Sequence, residues 1–265
     1  MKNILLITPS LILMVTPVFA QAPKSKTETP RKEPISTDRP DFVESSLTVG
    51  KGVLQIETSI ATERSRDGGL GVRTSSTPTL FRVGFSANME FRVETDGAIQ
   101  ARSGGATQRG TADTALGIKW HVQDGEGNRP SMAWLFHADL ASGSPAFRGS
   151  KVRPSVRAVF EWELPNDMGL GIMPGLVHDS DNTGRFTTGI LAATVSKGWT
   201  DKLRSFVELA AQELRSGSRG GNTVTFDAGV TYLVNDNLQL DLVTNQGMTK
   251  DYRGTTWGLG ISRRY

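Results

Sequence analysis

The chain has 265 residues, 37% of them apolar, no cysteine and a formal net charge of +3. Without cysteine it has neither a disulfide framework nor a thiolate metal site. The small positive balance forms no coherent basic face, which argues against nucleic acid as a partner. Past the start of the chain, no stretch reaches the roughly twenty apolar residues of a helical membrane span.

Lys2, an interrupted apolar run from Ile4 to Val18 and then Phe19-Ala20 predict an export signal over residues 1–20, removed near Ala20. Residues 21–36 carry proline and charge without apolar periodicity and read as an unstructured lead-in. With the residues up to 50 they form a periplasmic lead-in, followed by one domain over 51–265. From Gly52 onward the pattern becomes alternation of period two, the mark of strands with one apolar and one polar face. Twelve such segments are predicted. The first six are 52–63, 73–84, 88–97, 111–122, 130–141 and 151–164, and the last six are 167–177, 185–197, 202–213, 222–234, 237–246 and 254–265.

The connections alternate in length. Short ones fall at 84–88, 123–129, 165–166, 198–201 and 235–236, and longer ones rich in glycine, serine and arginine at 64–72, 97–110, 142–150, 178–184, 214–221 and 247–253. Short turns at one end and long loops at the other predict an all-β fold, a closed up-and-down antiparallel transmembrane barrel of about twelve strands. Parity then sorts the faces. Trp134, Phe136, Phe160, Trp162, Val207, Leu209, Phe226, Val230, Tyr232, Leu240, Leu242, Trp257, Leu259, Ile261 and Tyr265 fall outward, toward lipid. Inward fall Glu57, Arg82, Arg92, Glu94, Lys119, His137, Asp139, Arg153, Arg157, Glu161, Arg204, Glu208, Asp227 and Asp241, together with Gln55, Glu90 and Gln239. A lysine or arginine facing lipid near the midplane costs about 2–4 kcal/mol, so the lumen is the expected home of these charges. Arg263 breaks the parity at a strand end, where it can reach the interface. The faces of 185–197 differ too little to assign.

Two stretches carry a resemblance. Thr37-Asp-Arg-Pro-Asp-Phe42, followed by Gly52-Val-Leu-Gln-Ile-Glu57, resembles the opening of a family of outer-membrane transporters named for the meta-cleavage pathway of phenol degradation. Phe226-Asp-Ala-Gly-Val-Thr-Tyr and the closing Trp257-Gly-Leu-Gly-Ile-Ser-Arg-Arg-Tyr265 are similar to its last strands. The resemblance implies a small outer-membrane barrel that moves hydrophobic or aromatic compounds, and it implies no catalytic residues. The expected partners are outer-membrane lipid and lipopolysaccharide, a small-molecule solute, and the assembly machinery that reads a last strand ending at Tyr265.

Asp38, Arg39, Asp41 and Phe42 form a compact charged set ahead of the first strand. Two readings fit: a partial plug in the barrel mouth, pairing with lumen residues such as Arg157 or Glu208, or an exposed periplasmic turn. Three further questions stay open on these residues. A greasy lining suited to an aromatic solute is not evident. Gly169, Gly171, Pro174 and Gly175 on one strand mark either a side exit through the wall or a bulge. A purely structural or adhesive barrel, or a barrel hydrolase using His137 with Asp139, is the alternative to transport. No second catalytic pair, metal-ligand spacing or cofactor motif accompanies that histidine, so the chain is read as no enzyme and as carrying no cofactor.

Overall fold

A computed structural model describes residues 34–67, 69–181, 184–214, 222–250 and 252–265. The predicted export signal and residues 21–33 of the lead-in lie outside these residues. Strand segments follow in chain order. The first are β1 (Leu54–Asp67), β2 (Leu70–Ser76), β3 (Thr79–Gly84), β4 (Met89–Thr95), β5 (Ala98–Ser103), β6 (Ala106–Thr111) and β7 (Thr114–Gln123). Then come β8 (Ser131–Leu140), β9 (Arg153–Leu164), β10 (Met168–Asp181), β11 (Gly184–Gly198), β12 (Leu203–Glu213), β13 (Thr223–Asn235), β14 (Leu238–Gly247) and β15 (Thr255–Arg264).

All fifteen belong to one antiparallel sheet, and β15 pairs with β1 from Gln55↔Arg264 to Arg64↔Thr255, which closes it into a barrel. Closure leaves no strand edge in the lipid, where an unpaired backbone group costs several kcal/mol. Three wall strands are each interrupted by two residues: β2 continues into β3, β4 into β5, and β6 into β7. Fifteen segments less these three joins give a wall of twelve strands. At the first break Pro78 has no N–H to offer the ladder, while its carbonyl accepts from Ser59 N (2.9 Å).

The long-loop end departs from expectation. Segments 64–72 and 97–110, predicted as loops, are instead ribbons that extend the wall: β1 and β2 pair out to Asp67↔Leu70, and β5 and β6 out to Ser103↔Ala106. Beyond the lipid both faces of a ribbon are wet, so no apolar alternation marks it. Gly69, Gly104 and Gly105 supply the positive φ that such tight turns require. Likewise β10 runs to Asp181 and β11 begins at Gly184, where a longer loop was predicted.

The barrel is apolar outside and ionic within. Ile60, Phe136, Leu209, Phe226, Leu242, Trp257 and Leu259 are exposed on the outer face. Glu57, Arg82, Glu90, Lys119 and Asp227 are each fully buried inside. The strand predicted without faces, now β11, buries Thr188, Ile190, Ala192 and Thr194 inward and exposes Leu191 and Val195. Arg263 places its guanidinium 5.1 Å over the Tyr265 ring at the short-turn end, which shields the one out-of-parity cation on the last strand.

Candidate functional site

Residues 35–49 form no helix or strand, and they lie inside the barrel. Asp38 is 5% exposed and Ser46 0%, so the reading of an exposed turn does not describe this segment. A buried chain without regular structure must satisfy its backbone on something else. Here it does so on wall side chains, sorted by charge. Carboxylates take the amides: Glu57 accepts from Asp38 N (2.9 Å) and Arg39 N (3.0 Å), and Glu208 from Phe42 N and Val43 N (2.8 Å each). Glu161 accepts from Ser46 N (2.6 Å) and Glu90 from Val49 N (2.9 Å). Cations take the carbonyls: Arg82 donates to Ser36 O (3.1 Å) and Leu47 O (2.8 Å), and Lys119 to Ser45 O (2.7 Å).

Asp38 is the centre of the charged contacts. Its carboxylate takes Lys119 Nζ at 2.6 Å and Arg82 Nη1 at 3.3 Å, and it also pairs with Arg92 Nη1. Arg92 and Arg157 bind Glu44 from either side, at 2.5 and 3.2 Å, and Glu57 and Glu90 pair with Arg82 at 3.0 and 2.8 Å. Four acids thus meet four cations, which is what makes so many buried charges tolerable. Burial alone would raise the Asp38 carboxyl, but Arg82, Lys119 and Arg92 outweigh it and hold it far below the usual carboxylate range. Asp41 stands differently. Burial, with Glu161 and Asp38 nearby, pushes it up to about 7 against a backbone hydrogen bond that favours its ionised form.

The segment also covers an apolar seat. Val43 packs with Leu135, Val159, Met173, Ala192 and Ala210, and Phe42 lies against this cluster with Arg157 5.3 Å over its ring. A greasy lining is therefore present, on one side of the lumen from β8 to β12. Gly171 makes room for it, since a Cβ there would stand 2.9 Å from Val43 Cγ1. Beside the seat, the β9–β10 ladder passes from Ile172↔Phe160 to Gly175↔Arg157 without pairing Met173 or Pro174. Each side of this gap keeps the same register, so it is a gap in hydrogen bonding rather than the bulge weighed from sequence. Two cavities flank the segment: one of about 1110 Å³ toward the short turns, and one of about 160 Å³ toward the long loops.

The remaining predicted residues are spread over the lumen face. Glu94 lines the smaller cavity with Arg157. Arg204 and Glu161 line the larger one, where Arg204 Nη1 donates to Ser196 Oγ (3.0 Å). Arg153 pairs with Asp179 (3.0 Å) near the long-loop rim. Asp241 lies 3.5 Å from Arg39, and Asp227 sits directly across the ladder from Glu208. Neither residue named from sequence as a partner for this charged set meets one of its side-chain charges: Glu208 binds backbone, and Arg157 binds Glu44, which sequence reasoning passed over. The His137–Asp139 pair of a hydrolase does not form. His137 Nε2 accepts from Arg92 Nε (3.2 Å), while its Nδ1, the atom an orienting carboxylate would hold, is buried without a hydrogen bond. Among the described residues no group of acids and histidines is arranged to hold a metal.

The fold is similar to an outer-membrane channel from Pseudomonas putida F1, with TM-score 0.65 and 9% identity over 86% of this chain and 99% of that one. It is also similar to KdgM porin in complex with disordered oligogalacturonate, at TM-score 0.53 and 11% identity over 79% and 98%. NanC porin matches at TM-score 0.51 and 9% identity over 78% and 98%. At these identities the likeness is one of fold. No curated protein sequence matches the chain. The family described as "Putative MetA-pathway of phenol degradation" matches residues 37–265, which begin at the charged segment and run through the whole wall, and the chain belongs to that family.

Proposed function

We propose that the protein is an outer-membrane channel for small hydrophobic compounds of the aromatic class, with residues 35–49 as its plug. The observation that carries this reading is the apolar seat of Leu135, Val159, Met173, Ala192 and Ala210, which is covered by Phe42 and Val43. A twelve-stranded barrel is wider than one filled by its own side chains and narrower than an open porin, so a segment of this length suffices to obstruct it. Movement of the plug exposes apolar wall to the lumen, and a solute with apolar surface replaces the contacts Phe42 and Val43 gave up. A purely structural or adhesive barrel gains nothing from a removable cover over an apolar patch. The seam at Met173 and Pro174, next to the seat, offers a second way out, sideways into lipid.

Uptake measurements test this. Deleting the gene is expected to slow accumulation of phenol-class compounds by intact cells, and the wild-type chain should restore it. Met173→Asn, which puts an amide on the seat, should restore it only in part. Unchanged aromatic uptake in the deletion strain, together with passage of sugars of the same size, would contradict the proposal.

A further inference from the structure

The ribbon formed by the outer parts of β1, β2, β5 and β6 carries a feature that neither the wall nor the plug explains. Arg64 stands directly across the ladder from Arg73, and Arg73 directly across from Arg102. Directly opposed residues have Cβ atoms roughly 4.5–5.5 Å apart, and like charges there destabilise a sheet. Three strands therefore place three guanidiniums in one row. Parity puts the row on the outward face: Glu57 and Ser59 of β1 point inward, so Arg64 points out, and its cross-strand partners share its side. Arg109 lies in the next row of that face, opposite Gln100. The neighbours on this face are Thr62, Ser75, Thr107 and Thr255, none of them acidic, while Glu63 belongs to the opposite face. The Gln100 amide, turned with its oxygen toward Arg102, gives that guanidinium a neutral brace at 2.8 and 2.9 Å.

A second observation points to a ligand. Thr62, Arg64, Arg73, Thr255 and Trp257 line an outward groove of about 480 Å³. Below it on the same face, Ile60 and Leu259 are 68% and 64% exposed and end the apolar belt. Arg64 is four residues beyond Ile60, about 13 Å along the strand and about 10 Å along the membrane normal for a strand tilted by about 40°. That is headgroup depth, and an exposed tryptophan is the usual marker of the boundary. We propose that this face is a binding site for the phosphorylated headgroup of lipopolysaccharide, with Arg64, Arg73 and Arg102 on phosphate and Trp257 against the sugar–acyl junction. The planar fork of arginine fits phosphate oxygens in pairs, and an anion between the strands removes the repulsion along the row. A lipid rather than a free anion is the occupant because the groove opens directly onto the apolar belt. The inference requires the barrel to lie in the outer membrane, but it does not require it to transport anything.

The test uses the full refolded chain in detergent, with native mass spectrometry reading bound lipid. Bisphosphorylated lipid A should bind at least about tenfold more tightly than its dephosphorylated form, and Arg64→Gln/Arg73→Gln/Arg102→Gln should remove that preference. Heat-dependent gel mobility, which reports a closed barrel, controls for folding. If the triple variant does not fold, the two lipids on the wild-type chain still decide the matter. Equal binding of the two lipids overturns the site, as does a folded triple variant that keeps the preference. Saturable, arginine-dependent binding of inorganic phosphate without lipid preference makes it a free-anion site and overturns the lipid assignment.

Discussion

Replacing Asp38 by alanine is expected to release the lumenal segment. In the docked state the Asp38 carboxylate is shared among Lys119, Arg82 and Arg92, none of them more than 1% exposed. Removing it leaves three buried cations short of an anion, and breaking a buried ion pair in this way costs about 3–5 kcal/mol. At tenfold per 1.4 kcal/mol, the docked-to-undocked ratio falls by at least about a hundredfold. Asp38→Asn keeps the shape but not the charge, and it turns an N–H group toward cations that offer only donors, so it should release the segment nearly as well. The native chain has no cysteine, so Ser46→Cys gives a reporter free of background at a position that is 0% exposed. A water-soluble maleimide should label it slowly in the parent and about a hundredfold faster with Asp38→Ala. Equal rates would show that the segment is held by something other than this charge cluster.

Asp41 is expected to act in the opposite sense, through pH. Its pKa is about 7 when docked, against an ordinary 3.8. Below about pH 4 the carboxyl is protonated in both states and has no effect on docking. From about pH 4 to 7 the docked form holds a proton on Asp41 that the undocked form has lost, so Asp41 weakens docking as pH rises, an effect that is complete above about 7. Asp38 does not compensate: its pKa is depressed, so its contribution is already complete in this range and is lost only in strong acid. Asp41→Asn should therefore leave docking unchanged near pH 4 and strengthen it at about pH 8. Comparing the maleimide rates of Ser46→Cys with and without Asp41→Asn cancels the reagent's own pH dependence. A ratio that stays flat with pH would rule out Asp41 as the controlling group.

The wall was legible because lipid imposes a rule that alternates with the strand. Trp257, Leu259 and Ile261 face out and Glu57, Arg82 and Lys119 face in, and sequence parity placed them all. The rule fails beyond the membrane, where water wets both faces, and so the ribbons on either side of Gly69 and Gly104 read as loops. It also weakens where both faces carry small residues, as at Ala192 and Ala193 of β11. The apolar seat is harder to read: Leu135, Val159 and Met173 all have inward parity, but they come from three different strands and form no local pattern among the lumen's charges. The Asp38 cluster was legible only as a set of charges. Its partners Arg82, Arg92 and Lys119 come from three strands 44 to 81 residues away, and no local pattern encodes which lumen cation faces which acid. The segment's reliance on Glu57, Glu161 and Glu208 is harder still to read, because those carboxylates bind backbone, which every sequence has.

The central claim, that residues 35–49 close the conduit, is tested most directly by planar-bilayer conductance of the chain from residue 21 onward beside one that also lacks those residues. The account predicts a nearly silent full-length barrel and well-defined conductance steps from the shortened one. Steps of the same size from both proteins would mean that the segment does not block the path.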